Sequence, residues 1–211
     1  MAVMCFNIEV AYFPVPKVAC TSIKLALFEI DHGYPIYDKV GPDPENHYIS
    51  WHMRNEPFRP DGLGIPKHFA RIAVVRDPIQ RFVSGYRNRI VHAREAAQAG
   101  VRLPADPDID TFARRLPEYM TAVSMIGHHF APQIAFVGND LGWYDRVFSF
   151  ERLSEVAIYL SERAGRPISL RLTQNSGPAL SARDISPQTE RLLRQYYADD
   201  YALFQKFPGL I

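Results

Sequence analysis

An α/β fold with a parallel sheet is the architecture this sequence predicts, and three observations carry the prediction. A short apolar run rich in β-branched residues, at 72–75, has the length and composition of a buried strand, and 145–150 is a second strand candidate. Each is followed by a segment with helical apolar spacing. Strand and helix patterns alternate along the chain, which favours a parallel sheet over a meander.

The elements follow in order. Residues 1–15 alternate in part, through Phe6, Ile8, Val10 and Tyr12, and read as one extended stretch that ends in the first core strand. Residues 21–30 read as a helix with Ile23, Ala26, Leu27 and Ile30 on one face. Residues 33–67 are rich in Pro, Gly, Asn and His, and read as loops with a short strand at 48–51. Residues contacting a substrate are expected in such an irregular region. After the strand at 72–75, Asp77 is the expected N-cap of a helix with Pro78 at its first position. Ile79, Phe82, Val83, Tyr86 and Ile90 form its apolar face. The tail of that helix passes from Arg89 into a Gly/Pro/Asp loop reaching Asp108, and 110–116 read as a short helix. A helix over 154–164 and a loop over 165–181 follow the strand at 145–150. Ser186 and Pro187 open one long final helix running to Phe204.

The 211 residues suit a single domain, 1–211, and a hydrophobic content of 47% is ample for its core. The net charge of +1, from 24 basic and 23 acidic residues, gives no field that would draw nucleic acid or an anionic membrane. Any anion must therefore be held by locally placed cations. Cys5 and Cys20 are the only cysteines; without metal-ligand spacing they read as free thiols in a reducing compartment. The N-terminus lacks a basic region, and no apolar run reaches the roughly 18 residues of a membrane span, so the chain is expected to be soluble and cytoplasmic.

Two turns carry chemistry. In Pro14-Val15-Pro16-Lys17-Val18-Ala19-Cys20-Thr21-Ser22, an apolar segment enters a helix through a Lys and two hydroxyls. Backbone N–H groups at a helix start, a point charge and hydroxyl donors suit a phosphate-like anion. The alternative is ordinary Ser/Thr capping. The loop is not that of a nucleotide kinase, which needs G-x-x-x-x-G-K-[ST]; here there is no Gly. The second turn places Arg76 where a strand ends, with Ser84 two turns into the following helix and off its apolar face.

Together the two segments resemble the 3′-phosphoadenosine 5′-phosphosulfate (PAPS)-dependent sulfotransferases, and most of all their carbohydrate branch (Golgi-type, family 2), in a soluble, bacterial form. Val15 to Lys24 is similar to that branch's P-K-x-A-x-T-S loop for the 5′-phosphosulfate. Val74 to Arg87 is similar to its V-x-R-D-P-x-x-R-x-x-S-x-Y segment for the 3′-phosphate. His129-Phe130-Ala131-Pro132-Gln133 resembles its aromatic-x-Pro-Gln segment, and residues 197–204 its C-terminal helix.

The resemblance implies a P-loop-like three-layer fold with a central parallel sheet flanked by helices. It implies a donor, PAPS, whose product is adenosine 3′,5′-bisphosphate, and an acceptor that is a carbohydrate or another small hydroxyl compound. No metal is expected, since a singly charged sulfuryl group does not obviously require one. Lys17, Ala19, Cys20, Thr21 and Ser22 would hold the 5′ end, with Lys17 also the catalytic cation on the leaving oxygen; Arg76 and Ser84 would hold the 3′-phosphate. The base is His52 on this reading, with His47, Glu45 and Glu56 competing. Arg81 reads as structural or solvated. Arg54, Arg87 and Arg89 are either contacts for an anionic acceptor or surface residues. Arg171, Asn175 and Ser176 lie in a late loop that often covers adenine in related proteins. His128 and His129 are neighbours that point apart, which argues against a paired metal site. Two other functions compete: a Mg-dependent nucleotide or small-molecule kinase on a similar fold, and a PAPS-binding relative without turnover.

Overall fold

The computed structural model describes residues 2–36, 55–59, 64–171 and 184–211. Among them the chain divides into two compact units. One is built from Met1–Arg76, Gln133–Thr173 and Pro208–Ile211, the other from Asp77–Pro132 and Gln174–Phe207.

The first unit is α/β. Its sheet has the order β1-β2-β3-β4, with β1 Val3–Cys5, β2 Val10–Phe13, β3 Ala70–Val75 and β4 Arg146–Ser149. β2, β3 and β4 are parallel, in the register Phe13↔Ala73 and Val75↔Ser149. β1 is antiparallel to β2, so the sheet is mixed where an all-parallel one was expected. The reason is local. The stretch read as one extended run folds back at Phe6–Glu9, where Glu9 takes a left-handed φ of 53° and its N–H reaches the Phe6 carbonyl at 3.3 Å. Phe6 and Ile8, which looked like strand positions, are in that turn.

Helix α1, Cys20–His32, follows β2. It is buried on nearly every side, Lys24 included. Gly33 ends it in a left-handed conformation, φ 77°, with its N–H on the Glu29 carbonyl, the usual solution for a helix C-terminus. An aromatic cluster of Phe13, Phe58, Trp143 and Tyr144 has ring centroids 5.2–6.4 Å apart. It anchors the segment 55–59, whose Phe58 N–H donates to the Ala135 carbonyl at 2.8 Å. Gly138 lets the Phe58 ring come this close: its φ is +75°, and a Cβ would lie 2.7 Å from the ring.

The second unit is helical. α2, Pro78–Gly85, starts as expected, with Asp77 Oδ1 accepting from the Gln80 N–H at 2.8 Å. It continues into a π-helical segment, Tyr86–His92. Then come α3 Ile109–Arg114, α4 Leu116–Ala122 and α5 Ser124–Phe130. Back in the first unit, α6 Ile134–Val137 and α7 Leu153–Ala164 flank β4 in sequence. Phe82, Phe112, Tyr119 and Phe130 form an aromatic centre for the helical unit, with neighbouring centroids 5.0–5.9 Å apart. Each such pair adds about 0.5–1.5 kcal/mol beyond its area burial.

The long final helix is two helices, α8 Pro187–Tyr196 and α9 Ala198–Phe204. Tyr197 leaves helical geometry (φ −101°, ψ 24°) because its ring is buried and its hydroxyl donates to the Phe130 carbonyl at 2.9 Å. The expected strand at 48–51 lies outside the described residues, as does most of the late loop.

Candidate functional site

The site is built at one edge of the first unit's sheet. β2, β3 and β4 are parallel, so their carboxyl ends fall on the same side. There the chain leaves β2 for Lys17–Ser22, β3 for Arg76 and β4 for Phe150. In open α/β sheets this edge is where ligands bind.

The loop after β2 has an unusual backbone. Lys17 (φ 68°) and Ala19 (φ 61°) are both left-handed, a conformation that costs a residue with a Cβ about 1–2 kcal/mol. Strain of this kind gathers at ligand-binding turns, and alternating backbone hands aim successive N–H groups into a concavity. Ala19 is the N-cap of α1, and no side chain among the described residues caps that end. Thr21 and Ser22 therefore sit inside the first turn of the helix and not at its N-cap. Lys17, Ala19, Cys20 and Thr21 are half-buried, and Ser22 is buried. Ser22 also lines a small cleft with Ala26, Glu29, Ile36, Ser169 and Arg171. The structure thus brings Arg171 to the loop, while Asn175 and Ser176 lie outside the described residues.

Arg76 is held from several directions. Its Nη1 donates to the Lys17 carbonyl at 3.4 Å, and its guanidinium carbon lies 3.9 Å from the centroid of the Phe150 ring. The predicted loop and the predicted arginine are therefore in contact. Ser84 is half-buried on α2 in the second unit.

Sequence reasoning missed a buried polar group beside the loop. Lys24 is 2% exposed and donates to Asn55 Oδ1, and Asn55 Nδ2 donates to Cys20 Sγ at 3.5 Å. Burial pulls the Lys24 ammonium below its ordinary pKa, partly opposed by Cys20. A Lys on the buried face of a predicted helix was the available signal. Of the base candidates only Glu56 is described, half-buried and next in chain to Asn55; His52, His47 and Glu45 lie outside the described residues, as does Arg54.

The other residues singled out have structural partners in the second unit. Arg81 is 1% exposed and donates to the carbonyls of His129 and Ala131. Arg89 donates to Glu95 Oε1 at 3.0 Å and meets His129 Nε2 at 2.7 Å. His129 Nδ1 lies 2.9 Å from the Met125 carbonyl, so that nitrogen carries the proton and Nε2 accepts. Among the described residues no group of three His, Cys, Asp or Glu side chains is arranged to hold a metal. No described helix is long and apolar enough to cross a membrane.

The sulfotransferase family matches residues 2–208. The chain belongs to the sulfotransferase family. It is similar to carbohydrate sulfotransferase 11 of Danio rerio, with 25% identity over an alignment covering 93% of this chain and 64% of that protein. The chain thus spans less than two thirds of that relative's length. No solved structure matches it. Membership in the sulfotransferase family agrees with the two motifs that suggested it and leaves the kinase reading without support.

The two cysteines of this family member should react differently. Cys5 is buried, and burial, with Asp31 beside it, pushes its thiol up to about 12. Cys20 is half-exposed in the loop. Native protein at pH 8 is expected to take one equivalent of maleimide, on Cys20, and a second only on unfolding. Prompt labelling of Cys5 in peptide maps would contradict this.

Proposed function

We propose that this protein transfers the sulfuryl group of PAPS to a hydroxyl of a carbohydrate. The observation that carries the reading is the left-handed backbone at Lys17 and Ala19, on a turn whose Lys17 carbonyl meets Arg76, in a chain of the sulfotransferase family. The carbohydrate acceptor is taken from the name of the Danio rerio relative and from the motifs. We take the two units to act as one catalytic domain on a P-loop-like three-layer plan, because the family match runs through both. Two free thiols suit a reducing, cytoplasmic setting.

In this reading the donor supplies an activated sulfuryl group, and the protein contributes position and charge. Loop N–H groups and the hydroxyls of Thr21 and Ser22 bind the 5′-phosphate, with Ala19 and Cys20 lending backbone. Lys17 places a cation at the bridging oxygen. Arg76 and Ser84 bind the 3′-phosphate, the arginine because its planar fork offers two donors to one phosphate. His52 takes the proton of the acceptor hydroxyl; Glu56 is the alternative that the Asn55 anchor favours. His52→Ala is expected to lower turnover and leave donor binding intact, whereas a binding-only protein would show no turnover to lose.

The deciding experiment is calorimetric titration with adenosine 3′,5′-bisphosphate and with adenosine 5′-phosphate. Arg76→Ala is expected to weaken the bisphosphate several-fold to 100-fold, the range of about 1.5–3 kcal/mol for a charged hydrogen bond. The monophosphate should hardly respond. Equal loss for both ligands would make Arg76 structural, and no binding at millimolar concentration would remove the donor assignment.

A further inference from the structure

We infer that Gln133 and Phe150 are positioning residues that hold Arg76 as a pre-aimed fork for the 3′-phosphate; this rests on the donor reading above. Gln133 is fully buried, at 0% exposure, and a buried carboxamide must find partners for both of its ends. Both ends are used on the backbone of one residue. Gln133 Oε1 accepts from the Arg76 N–H at 3.1 Å, and Gln133 Nε2 donates to the Arg76 carbonyl at 2.7 Å. A neighbouring strand would make the same pair of bonds. β3 ends one residue earlier, at Val75. The Gln133 side chain therefore engages both backbone groups of the residue that follows the strand and fixes the dihedrals from which the Arg76 side chain departs.

Gln133 is itself fixed. It is the N-cap of α6, and its carbonyl accepts from the N–H groups of Phe136 at 2.8 Å and Val137 at 3.1 Å. At the other end of the arginine, Phe150 presents its ring to the guanidinium at 3.9 Å. The residues on either side of Phe150 are tied together: Ser149 Oγ accepts from the Glu151 N–H at 3.3 Å and donates to Glu151 Oε2 at 2.7 Å. The Lys17 carbonyl is a third hold. The Asp77 carboxylate, next in the chain, accepts from the Gln80 N–H at Oδ1 and from the Tyr201 hydroxyl at Oδ2. An arginine fixed at its backbone and stacked along its plane loses little conformational freedom when a phosphate arrives.

The test is the ratio of affinities for adenosine 3′,5′-bisphosphate over adenosine 5′-phosphate, read by calorimetry. The variants are Gln133→Met, Phe150→Leu, Arg76→Ala and the double variant Arg76→Ala/Gln133→Met. Gln133→Met and Phe150→Leu are each expected to lower the ratio about 3- to 30-fold, with affinity for the monophosphate within about twofold of wild type. In the Arg76→Ala background, Gln133→Met should change the ratio no further, because it acts through the arginine. If Gln133→Met fails to fold, Phe150→Leu decides alone. A wild-type preference that both variants leave intact overturns the inference, as does equal weakening of the two nucleotides. A wild type with no preference overturns the donor assignment and this inference with it.

Discussion

Lys17→Ala is expected to lower sulfuryl-transfer turnover by about 10²–10³-fold while changing affinity for adenosine 3′,5′-bisphosphate much less. Negative charge grows on the bridging oxygen only as the bond to sulfur breaks, so a cation aimed there stabilises the transition state more than the ground state. The backbone bears on the same residue. Lys17 is left-handed, and its carbonyl accepts from Arg76, so the direction of its side chain is set by a strained turn. Replacement therefore risks mixing a loss of charge with a change of backbone. Lys17→Gly separates them. Glycine adopts φ 68° without the Cβ cost, so this variant should be about 1 kcal/mol more stable than Lys17→Ala and equally slow. Lys17→Arg keeps the charge on a different shape and should recover only part of the rate. Single-turnover kinetics beside calorimetry make the check. Lost affinity with unchanged turnover would reduce Lys17 to a binding residue.

Arg81→Met should destabilise the protein by about 3–5 kcal/mol and lower Tm by about 10 °C. The end of α5 offers three consecutive carbonyls. Arg81 donates to those of His129 and Ala131, and the Tyr197 hydroxyl donates to that of Phe130 between them. These are the carbonyls a helix end leaves without partners, and here buried side chains supply the donors. Exchanging a buried ion for an apolar residue is often harmless when its partner can be exchanged as well. The partners here are backbone groups, so Arg81→Met leaves them dry, at about 1–3 kcal/mol each. Against the usual 5–15 kcal/mol of total stability this is severe. Tyr197→Phe, which loses one of the three donors, should cost less than half as much. A Tm unchanged in Arg81→Met would show that water reaches the end of α5.

The sequence was most legible where the signal was local. The N-cap at Asp77, the strands at β3 and β4, and the helix of 20–32 follow from residue type and spacing over a few positions. Lys17 and Arg76 were found as cations at strand ends, and the structure joins them by a hydrogen bond. Misreadings arose where a distant contact overrode a local pattern. Phe6 and Ile8 alternate like strand residues, but the pairing of β1 with β2 turns them into a hairpin bend. Residues 186–204 have unbroken helical spacing, and only the pull of the Tyr197 hydroxyl on the Phe130 carbonyl divides them.

From its sequence alone this protein showed its family, its α/β alternation and the two turns proposed to take the donor's phosphates, because those motifs are short and their chemistry lies in residue identity. Tertiary structure alone decided the hand of the backbone at Lys17 and Ala19 and the clasp of Gln133 on Arg76. It also decided the ring of Phe150 beneath the guanidinium and the pairing of Lys24 with Asn55. These contacts join residues 31 to 74 positions apart, or depend on a backbone conformation that residue type disfavours. Such pairings become visible only when packing brings the segments together, because a buried polar group is recognised by the partner it finds and not by its neighbours in sequence.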